Sequence, residues 1–158
     1  LGVSVDPLDM DLTLNQIENW LLEDARAYAC VLPAHSVMEC VNHPELLPVF
    51  NKADMVTPDG MSIVWLLNLM GYKNVRRVYG PDLMMATCKH GINKKWRHYF
   101  FGGNPGTPQA LADQLQKQIP DLQIAGACSP PFGPPPKKRK KDLYLRSTPA
   151  KPIFSGSG

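Results

Sequence analysis

One carboxylate in this sequence stands where its position has chemical meaning. In VTPDGMSIVW, residues 56–65, a β-branched run halts at Thr57-Pro58-Asp59-Gly60 and an apolar, helix-like stretch follows. Pro58 fixes its own φ and pushes Thr57 towards extended geometry, so the strand ends there. Asp59 then lies at the C-terminal end of a strand, the edge at which open α/β sheets bind their ligands. Gly60 leaves the backbone beside that carboxylate open to close approach. A simpler role fits the same residues equally well, with Asp59 as the N-cap of the helix that follows.

Three further stretches could carry chemistry. FFGGNPGTPQ (100–109) reads as a strand, a glycine turn and a helix start, an arrangement that receives a phosphate or pyrophosphate at the helix N-terminus. It is neither a Walker A loop nor the dinucleotide G-x-G-x-x-G, and a tight structural turn accounts for its glycines as well. RRVYGPDL (76–83) puts an Arg pair ahead of Gly80, with Asp82 in the first turn of a helix. The plain reading makes Asp82 a complement to the helix dipole and Arg77 a surface cation. His35, Glu39 and His43 are spaced four apart, as ligands on one helix face would be, but no further metal ligand is in view. The four cysteines, Cys30, Cys40, Cys88 and Cys128, form no C-x-x-C pair, which fits buried, reduced thiols in a cytosolic protein.

These residues need a scaffold, and the periodicity alternates between strand and helix. GVSV is a short strand candidate. Thr13 can cap the helix LNQIENWLLEDARA, whose Leu14, Ile17, Trp20 and Leu21 form one apolar stripe. YACVL reads as a buried strand, His35 to Asn42 as a helix, and Pro44 opens a short helix ending near Asn51. DMVTP is the next strand, followed by a helix over 60–70 with Gly71 beyond its end. PDLMMATCKHG places Pro at the first turn and Gly at the close. WRHYFFGG is a strand running into a glycine turn, TPQALADQLQKQIP a capped helix with Ala110, Leu111 and Leu115 inward, and LQIAGAC a last strand. The alternation predicts an α/β fold with a mostly parallel sheet.

Charge and composition divide the chain. Of the 158 residues, 44% are hydrophobic, enough for a core, and no apolar run reaches the roughly 18 residues of a membrane span. No signal peptide is expected from the opening LGVSVDPLDMD. Residues 1–136 hold 10 Lys/Arg and 13 Asp/Glu, a net of −3, whereas 137–158 hold 7 basic and 1 acidic residue, a net of +6. SPPFGPPPKKRKK is proline-dense and then charge-dense, so 1–129 reads as the folded domain and 130–158 as an unpacked tail. The basic run is similar to a nuclear localisation signal, but the acidic body argues against a nucleic-acid face. An anionic membrane surface suits the tail better.

In series, HSVMEC (35–40), ADMVTPDGMSIVW (53–65), RVYGPDLM (77–84), HYFFGGNPG (98–106) and LQIAGACSPPF (122–132) resemble the WecG/TagA/CpsF glycosyltransferases, glycosyltransferase family 26. The resemblance runs from about residue 2 to residue 133. It implies a Rossmann-like α/β fold with helices on both faces of the sheet. It also implies an inverting transfer of N-acetylmannosamine, or another hexose, from a UDP-sugar to a polyprenyl-diphosphate-linked sugar during cell-wall, teichoic-acid, capsule or exopolysaccharide synthesis. On that resemblance Asp59 is the general base that takes the acceptor hydroxyl's proton. Gly102, Gly103 and Gly106 lie near the UDP pyrophosphate, and Arg77, Gly80 and Asp82 line the same cleft. Thr57, Gly60 and His35 are the remaining substrate-binding candidates. No cofactor and no metal are implied. A cytoplasmic protein, peripheral at the inner face of the membrane, is expected, and a homo-oligomer fits.

Two departures from the family pattern stand out. Members usually carry a Thr at the end of the strand before the His35 helix; here CVLPAHS puts Val31 or Leu32 there, so a substrate-facing hydroxyl is missing. Members also continue past SPPF with a helix, a strand similar to PDILWVGLG and then PKQE, so the chain reads as truncated. The genetic code lets KPIFSGSG share nucleotides in another frame with Thr-Asp-Ile-Phe-Trp-Val-Gly, which makes a frameshift one expectation and resequencing its test. A non-catalytic remnant that binds nucleotide weakly is the competing reading.

Overall fold

The structure, a computed structural model, describes residues 2–130. The proline-rich and basic segment from 131 onward, with Lys137–Lys141 and Phe132 of SPPF, lies outside the described residues. The chain divides into two compact units at His90/Gly91.

The first unit holds α1 (Met10–Leu22), β1 (Ala29–Leu32), α2 (Ala34–Asn42), a 3-10 turn (Pro44–Leu46), α3 (Leu47–Asn51), β2 (Met55–Pro58), α4 (Met61–Leu69) and α5 (Gly80–His90). Strands β1 and β2 pair in parallel, with Ala29 opposite Met55 and Leu32 opposite Pro58. Parallel strands bury both faces, and all four residues of β2 are buried. Leu32, Val56, Ile63, Val64, Leu67 and Val75 form the core, with Val3, Val5, Val37 and Phe50 packed around it. Glu18 of α1 and His90 of α5 meet at 2.8 Å.

The second unit holds β3 (Arg97–Phe101), α6 (Thr107–Gln118) and β4 (Gln123–Cys128). Here too the strands are parallel, with Phe101 opposite Cys128. The molecule is thus a mixed α/β protein with open parallel sheets, found among the described residues as one two-stranded sheet in each unit. No helix among the described residues is long and apolar enough to cross a membrane.

Several local expectations are corrected. GVSV is not a strand. Asp6 donates one backbone N–H to the Val56 carbonyl, but the Val56 N–H goes to the Asp6 carboxylate, so a side chain replaces the second ladder bond. Asn51 holds the same segment through the Ser4 N–H and the Gly2 carbonyl, again with side-chain atoms. Thr13 is no cap. Asp9 caps α1 by accepting from the Leu12 N–H, and Thr13 lies inside the helix, fully buried, its hydroxyl donating to the Asp9 carbonyl. The helix stops at Leu22, and Leu21 is exposed rather than part of the stripe. In α6 the inward residues are Ala112 and Leu115, while Ala110 is exposed. That helix starts from Gly106, in the left-handed region at φ 84°, with no side-chain cap. All four cysteines are free thiols, Cys40 and Cys88 buried, Cys30 and Cys128 half-buried.

One half-buried titratable group sets a pH dependence. His98 of β3 has its Nε2 buried without a hydrogen-bond partner, and burial pushes its imidazole below the ordinary value. Below about pH 6.5 the unfolded chain takes up a proton that the folded one refuses. Stability should therefore fall as pH drops through that value, levelling off only below the folded group's own pKa. Urea unfolding at about pH 7.5 and about pH 5.5 checks this. A His98→Gln variant should lose less stability between the two conditions than the parent.

Candidate active site

The C-terminal ends of β1 and β2 gather the chemistry of the first unit. Strand β1 gives way through Pro33 to α2, and β2 gives way through Asp59 and Gly60 to α4. The two exits are close: a Cβ on Gly60 would sit 3.2 Å from the Ala34 backbone nitrogen and 3.4 Å from its Cβ. Space and not conformation favours glycine at position 60, since its φ of −93° is open to any residue while an added Cβ would crowd Ala34. The Asp59 N–H donates to the Leu32 carbonyl and extends the β1–β2 pairing by one residue.

The N-cap reading of Asp59 is corrected. Gly60 is the N-cap of α4, and no side chain caps that helix. The Asp59 side chain, 12% exposed, turns instead to Arg77. Arg77 Nε donates to the Asp59 carbonyl oxygen and, at 3.1 Å, to Oδ1. Nη2 of the same guanidinium lies 3.0 Å from that Oδ1.

Arg77 reaches this place because of the segment before α5. Val78 is fully buried and its N–H donates to the Pro58 carbonyl at 2.8 Å, pinning the segment beside the end of β2. In extended backbone, side chains two apart share a face, so burying Val78 turns Arg77 and Tyr79 outward together. The guanidinium carbon lies 4.4 Å from the centre of the Tyr79 ring. One face of Arg77 is thus held by an aromatic ring while its edge grips Asp59.

The other candidates of this unit are placed as follows. Thr57 is fully buried on β2, and its hydroxyl has no hydrogen-bond partner, a costly state for a polar group. Gly80 opens α5, where an added Cβ would meet Val31 at 3.7 Å. Asp82 is in the first turn of α5 and exposed, and His35 is in the first turn of α2 and exposed. His43 follows α2, with Nε2 4.0 Å from Glu39 and Nδ1 3.4 Å from Glu45, all solvent-facing. Among the described residues no three His, Cys, Asp or Glu side chains gather as a metal site requires.

The glycine turn belongs to the second unit. Gly102, Gly103 and Gly106 have φ of 124°, 70° and 84°, so the turn from β3 to α6 runs through backbone that other residues rarely adopt. The Gly102 N–H donates to the Cys128 carbonyl, and the Ser129 hydroxyl to the Asn104 carbonyl at 2.7 Å. The start of the SPPF motif is thereby tied to the turn. Added side chains at Gly102 and Gly106 would meet open space, so conformation and not crowding selects glycine at these two positions.

Sequence reasoning missed Val78 and Tyr79. The alternation exposed–buried–exposed across Arg77, Val78 and Tyr79 was their signal, but a three-residue alternation is too short to be distinctive.

A family model described as "Glycosyl transferase WecG/TagA/CpsF family" matches residues 1–155. Among curated proteins, the N-acetylglucosaminyldiphosphoundecaprenol N-acetyl-beta-D-mannosaminyltransferase of Bacillus spizizenii is 25% identical over 125 residues. That alignment covers 77% of this chain and 49% of the relative, so the chain spans about half the length of the curated relative it matches.

Proposed function

The chain belongs to the WecG/TagA/CpsF glycosyltransferase family, and from that premise we propose that it is built for hexosyl transfer from a UDP-sugar to a polyprenyl-diphosphate-linked sugar, with N-acetylmannosamine as the hexose. The observation that carries this reading is the Asp59–Arg77 pair at the C-terminal end of β2. A carboxylate freed from capping, held in one orientation and still in contact with solvent, is equipped to take a proton from an acceptor hydroxyl.

In this reading the acceptor oxygen attacks the anomeric carbon as Asp59 removes its proton, and UDP departs with inversion at that carbon. Arg77 fixes the carboxylate and Gly60 keeps the backbone beside it bare. In the second unit the glycine turn through Gly102, Gly103 and Gly106 is the candidate for a phosphate group, with the N–H groups of Gly103, Asn104 and Gly106 as its donors because those of Gly102 and Thr107 are already given to carbonyls. Gly80 and Asp82 line the sugar or nucleotide side, and Thr57 and His35 complete the candidate set. The partners are the UDP-sugar, the lipid-linked acceptor and an anionic membrane surface at the inner face of the cell membrane.

Val31 favours a second reading, a remnant that binds nucleotide without turning it over. Either it, half-buried, or the buried Leu32 that ends β1 stands where the resemblance expects a hydroxyl. Two measurements on the full chain separate the readings. Release of UDP from UDP-N-acetylmannosamine in the presence of a polyprenyl-diphosphate-N-acetylglucosamine acceptor supports transfer. Saturation transfer from the protein to UDP without any such release supports the remnant, and absence of both removes the nucleotide site.

A further inference from the structure

Helix α4 carries no charge and is apolar on its inner side and on most of its outer side, where Ser62 and Asn68 are the polar exceptions. Ile63, Val64 and Leu67 face the core and are buried. Met61, Trp65, Leu66 and Leu69 are 46%, 67%, 55% and 85% exposed, and Met70 and Tyr72 just beyond are 65% and 47% exposed. Met61, Trp65 and Leu69 follow at intervals of four, and Leu66, Leu69 and Met70 at three and four, so they form one mostly apolar outer face, with the small Ser62 among them and Asn68 at its edge. A helix with two apolar sides needs an apolar surrounding on the second one as well.

The charges around this face indicate what covers it. Between Gly60 and Pro81 there is no Asp or Glu, while Lys73, Arg76 and Arg77 are present, in a body of 1–136 whose net charge is −3. Leu12, Leu22 and Met38, exposed elsewhere, each stand next to an acidic residue (Asp11, Glu23 and Glu39), whereas no residue of the α4 face does. Lys73 and Arg76 are exposed and follow directly on the apolar face. A second copy is a poor occupant, because a two-fold contact would bring the same cationic rim of both chains together.

We propose that the outer face of α4, from Met61 to Met70, beds into an anionic lipid leaflet, with Lys73 and Arg76 at the headgroups. Trp and Tyr favour the interface between hydrocarbon and water, and Trp65 and Tyr72 lie at the middle and the end of this stretch. The helix starts immediately after Asp59 and Gly60, so docking in this way holds the Asp59–Arg77 pair beside the lipid surface. The inference concerns a surface and stands whether or not the pair is catalytic.

The test uses the full chain carrying Lys137→Gln, Lys138→Gln, Arg139→Gln, Lys140→Gln and Lys141→Gln, so that the basic run cannot supply the binding. Vesicles of equal parts phosphatidylglycerol and phosphatidylcholine should still sediment this protein, and Leu69→Glu should weaken that binding by about tenfold or more. Brominated lipids should quench its fluorescence, and Trp65→Phe should remove most of that quenching. Both positions are highly exposed, so an unchanged thermal melt by circular dichroism separates lost docking from lost folding. Equal binding by Leu69→Glu, or equal binding to vesicles of phosphatidylcholine alone, overturns the proposal. So does a dimer in sedimentation that Leu69→Glu dissolves while vesicle binding is absent from the start, which would assign the face to a second copy.

Discussion

Replacing Asp59 with Asn is expected to lower turnover by about 10²–10⁴-fold while UDP binding and the melting temperature stay unchanged. The structure makes this substitution clean. Asp59 is not the cap of α4, so helix stability does not depend on its side chain. An Asn oxygen can still accept from Arg77 Nε and Nη2, which keeps the side chain where it is. What Asn cannot do is take the acceptor's proton. Asp82 provides the comparison, since it is exposed in the first turn of α5 and its proposed part is to line the site, which an Asn of the same shape can also do, and not to take a proton. Asp82→Asn should cost only a small part of the activity. UDP release by the two variants, measured side by side with UDP-N-acetylmannosamine and a lipid-diphosphate acceptor, decides the matter. Equal, modest losses at both positions would remove Asp59 from the role of base.

The strand ends were legible because proline and glycine mark them with stereochemistry. Pro58 stops β2, Gly71 at φ 96° lies beyond α4, and Gly91 follows α5, all where local sequence puts them. The misreadings have a common physical origin, a side chain acting as backbone. Asp6 and Asn51 tie down 2–6 with carboxylate and amide groups, and so a β-branched run that looks like a strand does not become one. Asp9 and Thr13 both offer oxygens near the start of α1. The position four residues earlier won because Thr13 Oγ1 can then donate back to the Asp9 carbonyl from within the helix.

The candidate site shows a different limit. Asp59 was legible from the end of its strand, but its partner stands 18 residues further along and no periodicity connects the two. Their meeting is held by bonds between distant segments, Val78 N–H to the Pro58 carbonyl and Arg76 N–H to the Leu8 carbonyl. A pairing between elements is a tertiary event, and local sequence registers only its consequence, a valine buried between two polar neighbours.

That same pairing makes Arg77→Lys a severe substitution despite the retained charge. Arg77 grips two oxygens of Asp59 along its edge and lies against Tyr79 with its face, a geometry that needs a planar, forked cation. An ammonium is a point donor on a flexible stem and can hold one oxygen at a time. Arg77 is what holds the Asp59 carboxylate among the described residues, and a displacement of about 1 Å at a reacting group can cost about 10²-fold in rate. Arg77→Lys and Arg77→Ala should therefore both lose roughly 10²-fold in kcat. Because Arg77 is 45% exposed, both should melt within a few degrees of the parent. Tyr79→Phe keeps the ring face and should retain near-parent kcat, whereas Tyr79→Ala should fall between the parent and Arg77→Lys. An Arg77→Lys enzyme with parental kcat would show that charge alone suffices at this position, and that the fork on Asp59 is incidental to the reaction.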